Sequence, residues 1–215
     1  MPSGTTRLLA AAGIAAPVLW TAIVIYGGAV TPGYDPVNQF ISELGERGSP
    51  TENVVRVLGM ALPGVLLILF GVSLFGRAGA RAAAVLVIIH GALRVAVGAF
   101  PCDAGCPVSG GSFSQIVHSV SASLNGLVLP AAGIVWALHL RRTGGSALFA
   151  AYSLASAFLG LLFMGLMMVN LNTRHAVGLC QRLALGIGSL WLLALAVSTL
   201  AEKDRAGRSA DWRTS

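Results

Sequence analysis

A helix needs about 20 consecutive apolar residues to cross the hydrocarbon core of a bilayer. Six segments of this chain reach that length, near residues 8–30, 53–75, 82–101, 115–140, 147–169 and 177–200. No water is present in lipid to satisfy backbone N–H and C=O groups, so runs of this kind fold as helices that close their own hydrogen bonds. The pattern predicts an all-α fold, a polytopic six-helix transmembrane bundle over residues 1–201, followed by a polar tail over 202–215. The first run is too long, and its start too weakly basic, for a cleavable secretion signal; it reads as the first membrane helix.

Composition agrees. Apolar residues make up 55% of the chain and charged residues only 10%, against roughly 25% charged in ordinary soluble domains. The net charge of +6 would suit a nucleic-acid partner if it were clustered on a soluble face, but it follows the membrane instead. Nine basic residues and three acids (Glu202, Asp204 and Asp211) fall in the N-terminus, the GRAGARA and RRTGGS links and the tail, whereas the other end balances five arginines with five acids. The positive-inside rule then puts both termini and the arginine links in the cytoplasm. The expected setting is a bacterial-type plasma membrane, with membrane lipids as partners, no nucleic acid, and a homo-oligomer left open.

Within these apolar runs a few side chains stand out. Arg94 lies in AAAVLVIIHGALRVAVGAFP, His118 in SQIVHSVSASLNGLVLP and Arg182 in GLCQRLALGIGSLWLLALAV. An ionisable group at membrane depth costs several kcal/mol unless it meets a partner or a cavity, which makes each a site residue by default. His90 shares a helix face with Arg94, four residues away. Arg94 has no acid in its own helix, so Glu43, Asp103 or an anionic ligand would have to answer it. Gln181 and Arg182 come one turn inside the last helix, close to Arg174 and His175. Two arginines facing one cavity would suit a phosphate or another anionic head group.

The remaining information is in the loops between the balanced ends. Tyr34-Asp35-Pro36 makes a turn, and Asn38 to Gly45 mixes the anchors Phe40, Ile41 and Leu44 with the polar pair Ser42 and Glu43. An amphipathic segment on the interface would bury the anchors and hold the pair at the mouth of the bundle. Ser49 or Thr51 would cap the second helix, with Glu52 in its first turn. Cys102 and Cys106, in one short outer loop, predict a disulfide. His118 follows Ser114 by four residues, a spacing similar to that of alkaline-ceramidase-type metal hydrolases, but the paired histidines of their final helix are missing. Zinc is the one cofactor left open, and it would need His118 plus two of His90, His175, Asp103 and Glu43; no metal site is assigned.

The order Tyr-Asp-Pro, Ile-Ser-Glu-Leu-Gly with a following Ser-Pro, His-Gly-Ala-Leu-Arg, Phe-Pro-Cys-Asp-Ala-Gly-Cys, a helix-opening histidine and Gly-Leu-Cys-Gln-Arg-Leu resembles the bacterial six-helix membrane proteins of domain-of-unknown-function family 998, over essentially the whole chain. That resemblance implies the fold and no activity. A fainter likeness, carried by Ile41, Ser42, Gly45 and Pro50, is to the eukaryotic Frag, DRAM and Sfk membrane proteins, and implies a link to lipid remodelling.

These readings converge on a polar site under the outer loops that binds or processes a lipid or amphiphile head group. Arg94 and Arg182 would hold the anionic group with Ser42, Gln181, His175 and His90 beside them. Glu43 and Asp103 would orient the arginines, and His118 would move a proton if chemistry occurs, so the three are the catalytic candidates. All five charged or titratable residues (Arg94, Asp103, His118, Arg182 and Glu43) are expected in one cavity. A metal-dependent intramembrane hydrolase and a non-enzymatic scaffold or transporter are the alternatives.

Overall fold

The computed structural model describes residues 4–77 and 79–211. Among them are six long helices and no strand: α1 (Gly4–Val30), α2 (Glu52–Leu74), α3 (Arg81–Ala99), α4 (Phe113–Arg142), α5 (Ala147–Val169) and α6 (Val177–Asp211). Each contains a stretch long and apolar enough to span a bilayer, as the six runs predict. The helix α6 continues to Asp211, beyond the start of the polar tail at residue 202. Trp212, whose indole the sequence would let lie back on the membrane interface, is outside the described residues.

Consecutive helices pack side by side, and α1 closes against α6, so the six form a ring around a central core. Close approach at the α2–α3 seam depends on glycine. A Cβ on Gly64 would stand 2.6 Å from the Gly91 carbonyl oxygen, and one on Gly91 would stand 2.6 Å from that of Gly64. Small residues are what allow membrane helices to approach this closely. At the arginine-rich end the core is apolar, built on Phe70, Leu74, Trp136, Trp191 and Leu195. Arg77 closes that end by pairing with Glu202 at 2.7 Å.

The opposite end is where polar groups enter. A 3₁₀ turn, Ile41–Gly45, buries Ile41, Glu43 and Leu44. Beyond it the chain enters α2 through a wide π-helical turn, Val55–Ala61. Ser112 and Ser146 cap α4 and α5, accepting from the N–H groups of Gln115 and Phe149. For α2 the expected cap is absent. Ser49 and Thr51 instead donate their hydroxyls to the Leu44 carbonyl at 2.9 and 2.7 Å, fixing the 3₁₀ turn rather than the helix start.

Candidate functional site

Below the 3₁₀ turn the ring encloses a cavity of about 100 Å³. Ile41 and Ser42 form its roof. Arg94, His118, Asn125, Ser123 and Gln181 supply polar walls, and Trp20, Met60, Val97, Met164, Met167, Met168 and Leu185 the apolar ones. A smaller space of about 10 Å³ adjoins it, sharing Arg94, Trp20 and Leu185 and adding His90 and Ser189.

Arg94 is 7% exposed. It donates from Nη2 to the Gly59 carbonyl at 3.0 Å and lies 3.8 Å from the Met60 sulfur. Its guanidinium sits over the Trp20 ring at 5.5 Å, a favourable but partial answer to a buried charge. Its Nε has no hydrogen-bond partner among the described residues, and neither does the Trp20 Nε1 nor the His90 Nδ1. The Gly59 carbonyl belongs to the π turn, whose i→i+5 pattern departs from an α-helix; such turns recur at functional positions.

His118 is fixed by a 2.8 Å contact between Nδ1 and the Phe100 carbonyl. A carbonyl only accepts, so Nδ1 carries the proton and Nε2 remains the acceptor of the neutral ring. Gln181 reaches the roof and accepts from the Ile41 N–H at 2.6 Å. Asn125 donates to the His90 carbonyl at 2.9 Å, tying α4 to α3 beneath the cavity.

The expected acids do not reach Arg94. Glu43 accepts from the Phe40 N–H at 2.9 Å and from Gln39 Nε2 at 2.8 Å, and pairs with Arg174 at 2.8 Å. Arg174 also donates to the carbonyls of Gly105 and Cys106 and lies over the Phe40 ring at 4.6 Å. Asp103 accepts from the Ser112 N–H and hydroxyl at 2.7 and 2.8 Å, with Arg47 at 3.5 Å. These bonds, the Ser112 N–H foremost, hold its carboxyl below the usual range. Nearby, burial pushes the Glu46 carboxyl up, opposed by its bond from the Gly105 N–H.

Arg182 faces away from the cavity. It donates to the carbonyls of Pro36, Gln39 and Gly178 and to the Tyr34 hydroxyl. His175 is exposed in the α5–α6 loop. Of the five residues expected to converge, Arg94 and His118 line the cavity, with Ser42 and Gln181. Glu43, Asp103 and Arg182 instead pin the loops above and beside it, because each finds its hydrogen-bond partners in those loops or at their helix ends.

Cys102 and Cys106 form the disulfide, with Cα atoms 5.1 Å apart. Cys180 is a buried free thiol in the same apolar cluster. The zinc set is not assembled. Among the described residues one trio of liganding atoms gathers within 4.8 Å, that of Glu46, Cys102 and Cys106, and its two sulfurs are bonded to each other.

Sequence reasoning passed over Trp20, Asn125 and the role of Arg174. Trp20 lies in an unbroken apolar run and carries no flag. Asn125, a buried amide in the middle of a span, was readable by the rule that marked His118. Arg174 was readable from the equal numbers of acids and arginines at that end.

No curated protein and no solved structure matches the chain. The family model described as "Protein of unknown function (DUF998)" matches residues 14–198. A match over that extent, on a chain of six membrane-length helices, makes this an integral membrane protein belonging to the DUF998 family.

Proposed function

We propose that the cavity receives the anionic head group of a membrane lipid or amphiphile, with Arg94 as its charge partner. The observation that carries the reading is a buried guanidinium with no carboxylate bonded to it among the described residues. A charge held at membrane depth without an opposite charge is costly and is retained where it serves a ligand. Arg94 Nε and Trp20 Nε1 add two buried N–H groups without acceptors, and an anionic oxygen would satisfy both. The volume of about 100 Å³ suits one phosphate or carboxylate group rather than a whole lipid.

In this reading Ser42 and Gln181 border the head group from the roof. The Nε2 of His118 is the acceptor available to take a proton from a head-group hydroxyl, should the protein process its ligand as well as hold it. Glu43, Asp103 and Arg174 act at one remove by fixing the roof. The excess of arginine at the opposite end supports a site open to the outer leaflet.

The test is native mass spectrometry of the purified protein with its co-purified lipids, comparing wild type with Arg94→Gln. The wild type should retain an acidic lipid. The variant should fold with stability within about 1 kcal/mol of wild type, since the shorter amide gives up the Gly59 bond but also removes the desolvation cost of a buried charge, yet lose that lipid. Equal retention by both proteins would remove the reading.

A further inference from the structure

The side of α6 facing away from the cavity borders a second and much larger space. Gln181 and Leu185 line the cavity, while Arg182, Gly186, Ser189, Leu190 and Leu193 line a groove of about 810 Å³ between α6 and α1. The spacing follows from helical periodicity: positions i and i+4 face inward, and the next residue of each pair begins an outward stripe. Trp20 belongs to both linings. Ser189 belongs to the groove and to the small space beside Arg94. The groove and the Arg94 site are therefore two faces of one thin wall.

The groove has one polar end. Arg182 and Tyr34 stand there, with the guanidinium 5.4 Å from the phenol ring. The hydrogen bonds of Arg182 all go to neutral oxygens. Asp35 feels that charge through space, but its carboxylate is occupied by Asn38 and the Val37 N–H. From that end the walls run along α1 from Gly28 to Pro17 and along α6 from Arg182 to Leu193, apolar except for Thr21, whose hydroxyl is bonded to the Pro17 carbonyl, and Ser189. Eleven helical steps span about 16 Å. One leaflet contributes about 15 Å of the ~30 Å hydrocarbon core, so the groove is as long as one leaflet is deep, and its positive end lies toward the loops.

We propose that this groove is the acyl-chain subsite of the Arg94 cavity, making the ligand an anionic lipid that carries at least one long chain rather than a water-soluble anion. The proposal rests on the head-group reading above and adds the substrate class. The chain lies between α1 and α6, the linker region of the lipid meets Arg182 and Tyr34, and the acidic group passes the Trp20 wall to Arg94. Arg94 thus selects the negative charge, and Arg182 with Tyr34 stands beside the linker oxygens.

Gly186 permits a clean test, because an added Cβ there meets nothing within 4 Å and the position lines the groove, so a larger side chain starts from open space. Wild type, Gly186→Phe, Gly186→Leu and Arg94→Gln would be extracted from bilayers of phosphatidylcholine containing phosphatidylglycerol, and the retained lipid and oligomeric state read by native mass spectrometry. The leucine variant keeps the comparison standing if the phenylalanine variant fails to fold. The expected result is loss of retained phosphatidylglycerol by about tenfold in a Gly186 variant whose thermal unfolding matches wild type, and in Arg94→Gln. Full retention by folded Gly186 variants with loss in Arg94→Gln would overturn the groove and leave the head-group reading intact. Full retention by Arg94→Gln would overturn the head-group reading itself. A wild type that keeps no lipid but is thermally stabilised by inorganic phosphate through Arg94 would show a chainless ligand. A wild-type dimer made monomeric by Gly186→Phe would show that a second copy fills the groove; either result overturns the acyl-chain proposal.

Discussion

Glu43 is bound by a backbone N–H, an amide and a guanidinium, so its removal leaves several donors without an acceptor at once. Glu43→Ala should cost about 2 kcal/mol; the one-third exposure of Arg174 keeps this below the value for a fully buried pair. Chemical or thermal denaturation in detergent would register it, and Arg174→Ala should cost less because Glu43 keeps two partners. Asp103 makes a pH prediction. Its folded carboxyl titrates below its unfolded value, so its contribution is present above the unfolded range near pH 4 and is lost as pH falls through the lower folded value. The protection of the Ser112 amide against hydrogen exchange, taken relative to its intrinsic rate at each pH, should fall on acidification through that window, and Asp103→Asn should remove the dependence. Arg94 and His118 were legible in the sequence because charge or imidazole in an apolar run is conspicuous. Their partners were not, since Glu43 meets Arg174 across 131 positions and a choice among the five arginines at that end is made by geometry alone.

At the scale of elements, the seam between α2 and α3 is held by backbone proximity rather than by side-chain interlock. Gly91→Leu should destabilise by about 3 kcal/mol through overpacking, visible as a fall in unfolding temperature, while Gly186→Leu, placed in open space, should be near neutral. The loop closed by Cys102 and Cys106 contains few residues, so reduction should release only about 2 kcal/mol on the chain-entropy account. Intact mass before and after alkylation, with and without reductant, would report the bond. The helices themselves were legible to within a few residues, the extension of α6 to Asp211 apart, because apolar length is a local property. The π turn was not. Nothing in Val55 to Ala61 forbids an α-helix, and the wide turn appears where a carbonyl of α2 meets Arg94 of α3.

For the molecule as a whole, the asymmetry of arginine predicts that a cysteine placed at Ser49 or Ser109 reacts with an impermeant reagent added outside intact cells, and that one at Ser146 reacts only after permeabilisation. The ring of six spans follows from their number and short links, but the location of the cavity does not, because it arises where the first loop is fastened to the last helix. The N–H of Ile41 bonds to Gln181, that of Leu179 to Val37, and Arg182 to Pro36. This fastening sets a schedule for biosynthesis. At ribosomal rates of 5–20 residues per second the 140 positions between Ile41 and Gln181 take on the order of 10 s to make, so the nascent chain holds five helices and an open chamber until α6 arrives, and the cavity is complete only with the last span.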